Sequence, residues 1–168
     1  SPGKHPFWDH AERELFMAAR GLELVGRIAC VVDHDHNRHH NERMGIWGFF
    51  ETAQDPEVAV ALFGAAEAWA REKGMAFLRG PLNPSMNYEV GMLVEGFDAP
   101  PTLMMTYNPK YYPELVHHCG YRKEKDLLAY RFELGSALPE WTFALADKLA
   151  AREDITIRLG DRKNLETE

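Results

Sequence analysis

The stretch of this sequence that most limits its fold begins at Asp55-Pro56-Glu57. Asp55 carries a side chain that can cap a helix, Pro56 has the fixed φ of a first helical position, and Glu57 puts an acid in the first turn. Val58, Leu62, Ala65 or Ala66, and Trp69 then recur at helical spacing, followed by the polar Arg71, Glu72 and Lys73 and a stop at Gly74. Before this helix, Met44 to Glu51 is a strand candidate, continuously apolar up to Phe50, as expected of a strand covered on both faces. After it, Met75 to Arg79 reads as a second short strand, closed by Gly80-Pro81. A strand, a helix of about five turns and a strand form a βαβ unit, so the two strands are parallel with a right-handed crossover. Trp47, Phe49, Phe50 and Trp69 are core candidates within it.

Upstream, Glu12 to Arg20 and Leu24 to Asp33 flank Gly21 and predict an antiparallel hairpin. Asp33 to Arg43 is polar, holds four histidines and reads as a loop. Downstream, the pattern predicts a short helix over Tyr88 to Val94, a strand over Thr102 to Tyr107, and a short helix from Tyr111 to His118 that ends at Gly120. A strong strand from Asp126 to Leu134 and a helix from Leu138 to Ala151 follow. Ile155 to Arg158 opens another strand, and Asp161 to Glu168 the start of one more helix. The expected division is residues 1–135 as one α/β domain and 136–168 as a helix plus the opening of a following strand–helix unit. Ragged ends and the missing initiator Met suggest a piece of something longer.

A chain of 168 residues with 45% apolar content suits a single core. Net charge is 19 − 26 = −7 with the basic residues scattered, so a basic face for nucleic acid is not expected. No apolar run approaches the roughly 18 residues of a membrane span, and the start has no signal-peptide apolar region. Cys30 and Cys119 are too few for a disulfide framework, and Cys30 lies in an apolar run as a small core residue. These features predict a cytoplasmic protein without membrane or nucleic-acid partners.

The order hairpin, strand, long helix, strand, helix, strand resembles the acyl-CoA N-acyltransferase (GNAT) superfamily. Gly120-Tyr121-Arg122-Lys123 followed by Leu127 to Phe132 resembles its closing segment. Val25 to Ala29 with Val32-Asp33-His34, Gly48 to Glu51, Arg79 to Asn83, Leu93 to Asp98 and Met104 to Tyr112 resemble, more narrowly, a group of longer bacterial GNAT-like proteins of uncharacterised function. The resemblance implies a GNAT-like α/β fold, a mixed central sheet with helices on both faces. It also implies transfer of an acyl group from acetyl-CoA or another acyl-CoA to a small-molecule amine, and a homodimer or a second domain packed against this one. Phe50, Glu51, Asp55 and Asn108 are then the positions expected to meet coenzyme A.

Two positions depart from that pattern. Thr52-Ala53-Gln54-Asp55-Pro56 replaces the superfamily's Gly-rich turn, whose backbone N–H groups cradle a pyrophosphate, and Val116 stands where many members have a Tyr that protonates the leaving thiolate. A non-catalytic GNAT-like module that binds a ligand or packs against another domain is therefore the alternative.

Independently of the resemblance, Arg79 to Glu89 follows the C-terminal end of a parallel strand, where open α/β sheets place ligands. Arg79, Asn83, Asn87 and, further on, Tyr111 are substrate-binding candidates, and Glu89 is a general-base candidate. Asn83 and Asn87 can equally be turn and cap residues. Tyr107, Tyr111 and Tyr112 are acid candidates, Tyr107 and Tyr112 foremost, or packed tyrosines with bonded hydroxyls. His34, His36, His39 and His40 tempt a metal reading, but all the donors share one short segment, and no metal is assigned. A long gap between the parallel strands would favour catalysis. A gap filled by Phe49, Met104 or Met105 would favour the module.

Overall fold

The computed structural model describes residues 5–131, 133, 138–152, 154 and 163, and the chain divides into two units, Ser1–Leu127 and Leu128–Glu168. In the first, β1 (Ala11–Arg20) and β2 (Glu23–Asp33) form the expected hairpin, and β3 (Met44–Thr52) pairs antiparallel with β2. Helix α2 (Pro56–Glu72) crosses over to β4 (Phe77–Arg79), which pairs parallel with β3 from Met44↔Phe77 to Ile46↔Arg79. The result is a four-stranded mixed sheet in the order β1-β2-β3-β4. Asp55 caps α2 by accepting the Glu57 N–H, and Gly74 leaves the helix at φ 78°. The local signals that predict this unit are the contacts that form it.

One face of the sheet buries Ile28 and Cys30 of β2 with Trp47 and Phe50 of β3. Val58, Leu62, Phe63 and Ala66 of α2 pack on them, joined by Tyr112, Leu115 and Val116 of α3 (Tyr112–His118). The opposite face buries Val31, Met44 and Ile46 under Phe7 of a 3-10 turn (Pro6–Asp9) and Leu82 of β5 (Leu82–Asn83). Among the described residues a turn and a short ribbon, β5 with β6 (Glu89–Val90), thus cover the face where a helix was expected. The ribbon passes so close to β3 that neither backbone tolerates a side chain. A Cβ on Gly48 would lie 2.0 Å from the Leu82 carbonyl oxygen, and one on Gly80 2.2 Å from that of Trp47.

Several local expectations give way to specific contacts. The histidine segment is a helix, α1 (His34–His40), because Asp33 accepts the N–H groups of Asp35 and His36 at 3.1 Å each and Asn41 ends it at φ 52°. Asn37 pins this helix to β3, its side chain bonding both the N–H and the C=O of Met44 at 2.9 Å. No helix forms over Tyr88 to Val94: Glu89 and Val90 pair with Asn83 and Leu82, and Gly91 turns away at φ 85°. Thr102 to Tyr107 is turn and irregular chain with Met104 at φ 61°, and no strand among the described residues pairs with it. Residues 126–131 are exposed and likewise unpaired, since alternation alone does not supply the neighbouring backbone that a strand needs. Phe132 and Leu134, Ile155 to Arg158 and most of Asp161 to Glu168 lie outside the described residues. In the second unit, α4 spans Glu140–Ala150, within the predicted helix.

Candidate functional site

Strand β3 is interrupted where it passes the ribbon. Its register with β2 runs from Ala29↔Gly48 to Arg27↔Glu51, so Phe49 and Phe50 both stand against Ile28 as a β-bulge. Phe49 takes φ 49°, a conformation that costs a non-glycine residue of order 1–2 kcal/mol. Its N–H, turned out of the ladder, is accepted by Asn83 Oδ1 at 2.7 Å. Asn83 Nδ2 in turn donates to Glu89 Oε2 at 3.2 Å. Asn83 and Glu89 are directly opposed across β5 and β6, which puts their side chains on one face of the ribbon.

Two tyrosines hold the end of β3. Tyr112 Oη donates to Glu51 Oε2 at 2.6 Å and accepts the Thr52 N–H at 3.1 Å, while Tyr111 Oη donates to the Thr52 carbonyl at 2.8 Å. Burial, with the Glu51 carboxylate beside it, pushes the Tyr112 phenol well above its usual range. Arg27 lies 4.0 Å from the other oxygen of Glu51.

Between these two networks is a cavity of about 180 Å³. Arg27, Phe49, Glu51, Asn83, Glu89 and Tyr112 line it, with Trp47, Phe50, Met92, Thr106, Tyr107 and Asn108. Small-molecule sites are usually roughly 300–1,000 Å³, so the volume suits the reacting end of a ligand rather than a whole one. Its two carboxylates are not equivalent. Glu51 is bonded by Tyr112 and has Arg27 at 4.0 Å, whereas Glu89, among the described residues, faces no cation at ion-pair distance and is bonded by the Asn83 amide. Among the described residues, neither the indole N–H of Trp47, nearly fully buried, nor the Thr52 hydroxyl has a hydrogen-bond partner.

The chain is similar to a bacterial ceramide synthase. That protein, from Caulobacter vibrioides, is 42% identical over 141 residues, which are 83% of this chain and 37% of the relative. Protein YghO of Escherichia coli is 34% identical over 168 residues, 98% of this chain and 42% of that protein. The chain therefore spans about two fifths of the length of the curated relatives it matches. No family model matches it, and no solved structure does.

Of the residues that the sequence marks, the fold brings Glu89, Tyr107, Tyr112, Phe50, Glu51, Asn83 and Asn108 to the cavity. Asn108 is committed to the backbone, accepting the Leu93 N–H at 2.8 Å and donating to the carbonyls of Leu93 and Pro109. The Tyr107 hydroxyl donates to the Phe97 carbonyl at 3.1 Å. Tyr111 stands behind Tyr112 on Thr52. Arg79 is drawn away to Glu124 at 3.2 Å and Glu42 at 3.6 Å, and the Asn87 N–H bonds Ser85 Oγ. Arg27, Met92 and Thr106 carry no local signal that would have marked them.

Asp55 caps α2 and is bonded by Arg20 at 2.8 Å. The Ala53 N–H is spent on the Val25 carbonyl and that of Asp55 on the Ala53 carbonyl. The start of α2 therefore does not fit the pyrophosphate of coenzyme A: a carboxylate closes the helix end where an anion would dock. Phe49 lines the cavity, whereas Met104 and Met105 are on the surface and outside it. In α1, His34 bonds Glu12 at 2.8 Å and His36 approaches Glu42 at 3.7 Å. Among the described residues no group of three or more donors is placed to hold a metal, and no helix is long and apolar enough to cross a membrane.

Proposed function

We propose that this cavity is the amine side of an N-acyltransferase site, and that the protein joins an acyl group to an amine in a GNAT-like fold. The observation that carries the reading is Glu89, a carboxylate that lines the cavity next to the bulge of the central strand and, among the described residues, has no cation at ion-pair distance. An incoming ammonium is a counter-charge that this exposed carboxylate can receive. Glu89 takes its proton, the freed lone pair forms the C–N bond, and the bond from the acyl carbon to its carrier breaks with its electron pair. The second proton that nitrogen loses neutralises the carrier. Tyr112, already donating to Glu51, stays protonated and holds the strand end. The amine class follows from the name of the Caulobacter relative: a long-chain amine that becomes an amide. Acyl-CoA is the donor to test, with its nucleotide held elsewhere than at the start of α2. A reducing cytoplasm suits the two free thiols.

Amide synthesis by the full-length protein from a long-chain primary amine and hexadecanoyl-CoA tests this. Glu89→Gln is expected to lower kcat/KM by about 100-fold or more, the usual contribution of a positioned base. A variant within twofold of wild type would overturn the assignment. The closed helix end at Asp55 favours a second reading, a ligand-binding module without turnover, which predicts amine binding and no amide.

A further inference from the structure

We propose that Asn83 is a positioning residue for acyl transfer, acting through Glu89: one side-chain amide ties the bulged N–H of Phe49 to the carboxylate and sets the proton acceptor against β3. This rests on the assignment of Glu89 above. Both ends of the amide are in use, Oδ1 on the Phe49 N–H at 2.7 Å and Nδ2 on Glu89 at 3.2 Å. Its orientation is forced, because a flipped amide would set a donor against an N–H and an acceptor against a carboxylate. The space it occupies is kept open by Gly48, where a Cβ would lie 2.7 Å from Asn83 Oδ1. Cross-strand pairing with Glu89 makes the link direct.

The other charged or titratable groups lining the cavity are Arg27 of β2, Glu51 of β3, Tyr107 of the connection and Tyr112 of α3. Tyr112 donates to Glu51 and Arg27 stands 4.0 Å from that carboxylate, while among the described residues Asn83 is the side chain bonded to Glu89. Asn83→Asp separates the two halves of the link. It keeps an acceptor for Phe49 and replaces the donor to Glu89 by a second negative charge, which disfavours ionisation of Glu89.

The test uses the full-length protein with a long-chain primary amine and hexadecanoyl-CoA, and measures kcat/KM against pH. Asn83→Asp is expected to move the acid limb upward by about one pH unit, lowering the rate about tenfold on that limb and recovering it at higher pH. Hydrogen exchange should find the Phe49 N–H still protected in Asn83→Asp and unprotected in Asn83→Ala. Adding Asn83→Asp to Glu89→Gln should change the rate less than twofold. A profile superimposable on wild type, or full multiplicativity of the two substitutions, overturns the positioning role while leaving Glu89 in place. Full activity in Glu89→Gln, or no amide from the wild type, instead removes the functional reading and this proposal with it.

Discussion

Tyr112 donates its phenol proton to Glu51 at 2.6 Å across 61 residues of sequence, and the same oxygen accepts the N–H of Thr52. One side chain from α3 thereby closes the end of β3 and orients a carboxylate of the cavity. Tyr112→Phe removes both bonds and leaves the buried Thr52 N–H without its acceptor, at an expected loss of about 1–3 kcal/mol in urea denaturation. The phenol is raised in the folded state, so its contribution is complete below its unfolded value of about 10 and is lost as pH climbs toward the raised value. Above pH ~10 the wild type should therefore lose stability more steeply than Tyr112→Phe. Parallel curves would show that the phenol is not held neutral by its surroundings.

Two glycines should respond in opposite directions to alanine. At Gly48 the added carbon meets the Leu82 carbonyl at 2.0 Å, a backbone atom in a ribbon that cannot withdraw alone. Gly48→Ala is expected to cost about 3 kcal/mol or more and to weaken ligand binding at the cavity. Gly64, inside α2, has nothing within 4 Å of its added carbon, and Gly64→Ala should stabilise by about 0.5–1 kcal/mol. Thermal unfolding of both variants decides it, and equal effects would contradict the crossing geometry.

Hydrogen bonds from Lys73 and His34 hold the Glu12 carboxyl below its usual range. A carboxylate lowered in the folded state stabilises above its unfolded value, and that contribution disappears as pH falls through the lowered one. Because Glu12 is close to solvent, the effect is small, under about 1 kcal/mol. Carbon-detected titration should find Glu12 ionising lower than it does in Lys73→Met. An unchanged midpoint would mean the lysine bond contributes nothing in solution.

Where the signal was local, sequence and structure agree. Asp55, Pro56 and Gly74 bound α2 because a cap, a fixed φ and a positive φ act on their own neighbours. The histidine segment carried such a signal too: Asp33 is an N-cap, and the polarity of the residues after it concealed a helix pinned by Asn37. Over Tyr88 to Val94, helical spacing competed with pairing to residues already passed in the chain, and pairing won once Leu82 was buried under the sheet.

The chemistry of the site follows the same division. The sequence by itself determined the βαβ unit, its parallel strands, and the presence of Asn83, Glu89 and Tyr112 downstream of them. Only the tertiary structure decided which of them meet. Phe49 and Asn83 are 34 residues apart, and Thr52 and Tyr112 60 apart. Their contacts exist because a bulge frees one N–H and a glycine crossing lets the ribbon reach it. Both are consequences of strand register, and register is set by all the packed faces together rather than by any one stretch of sequence.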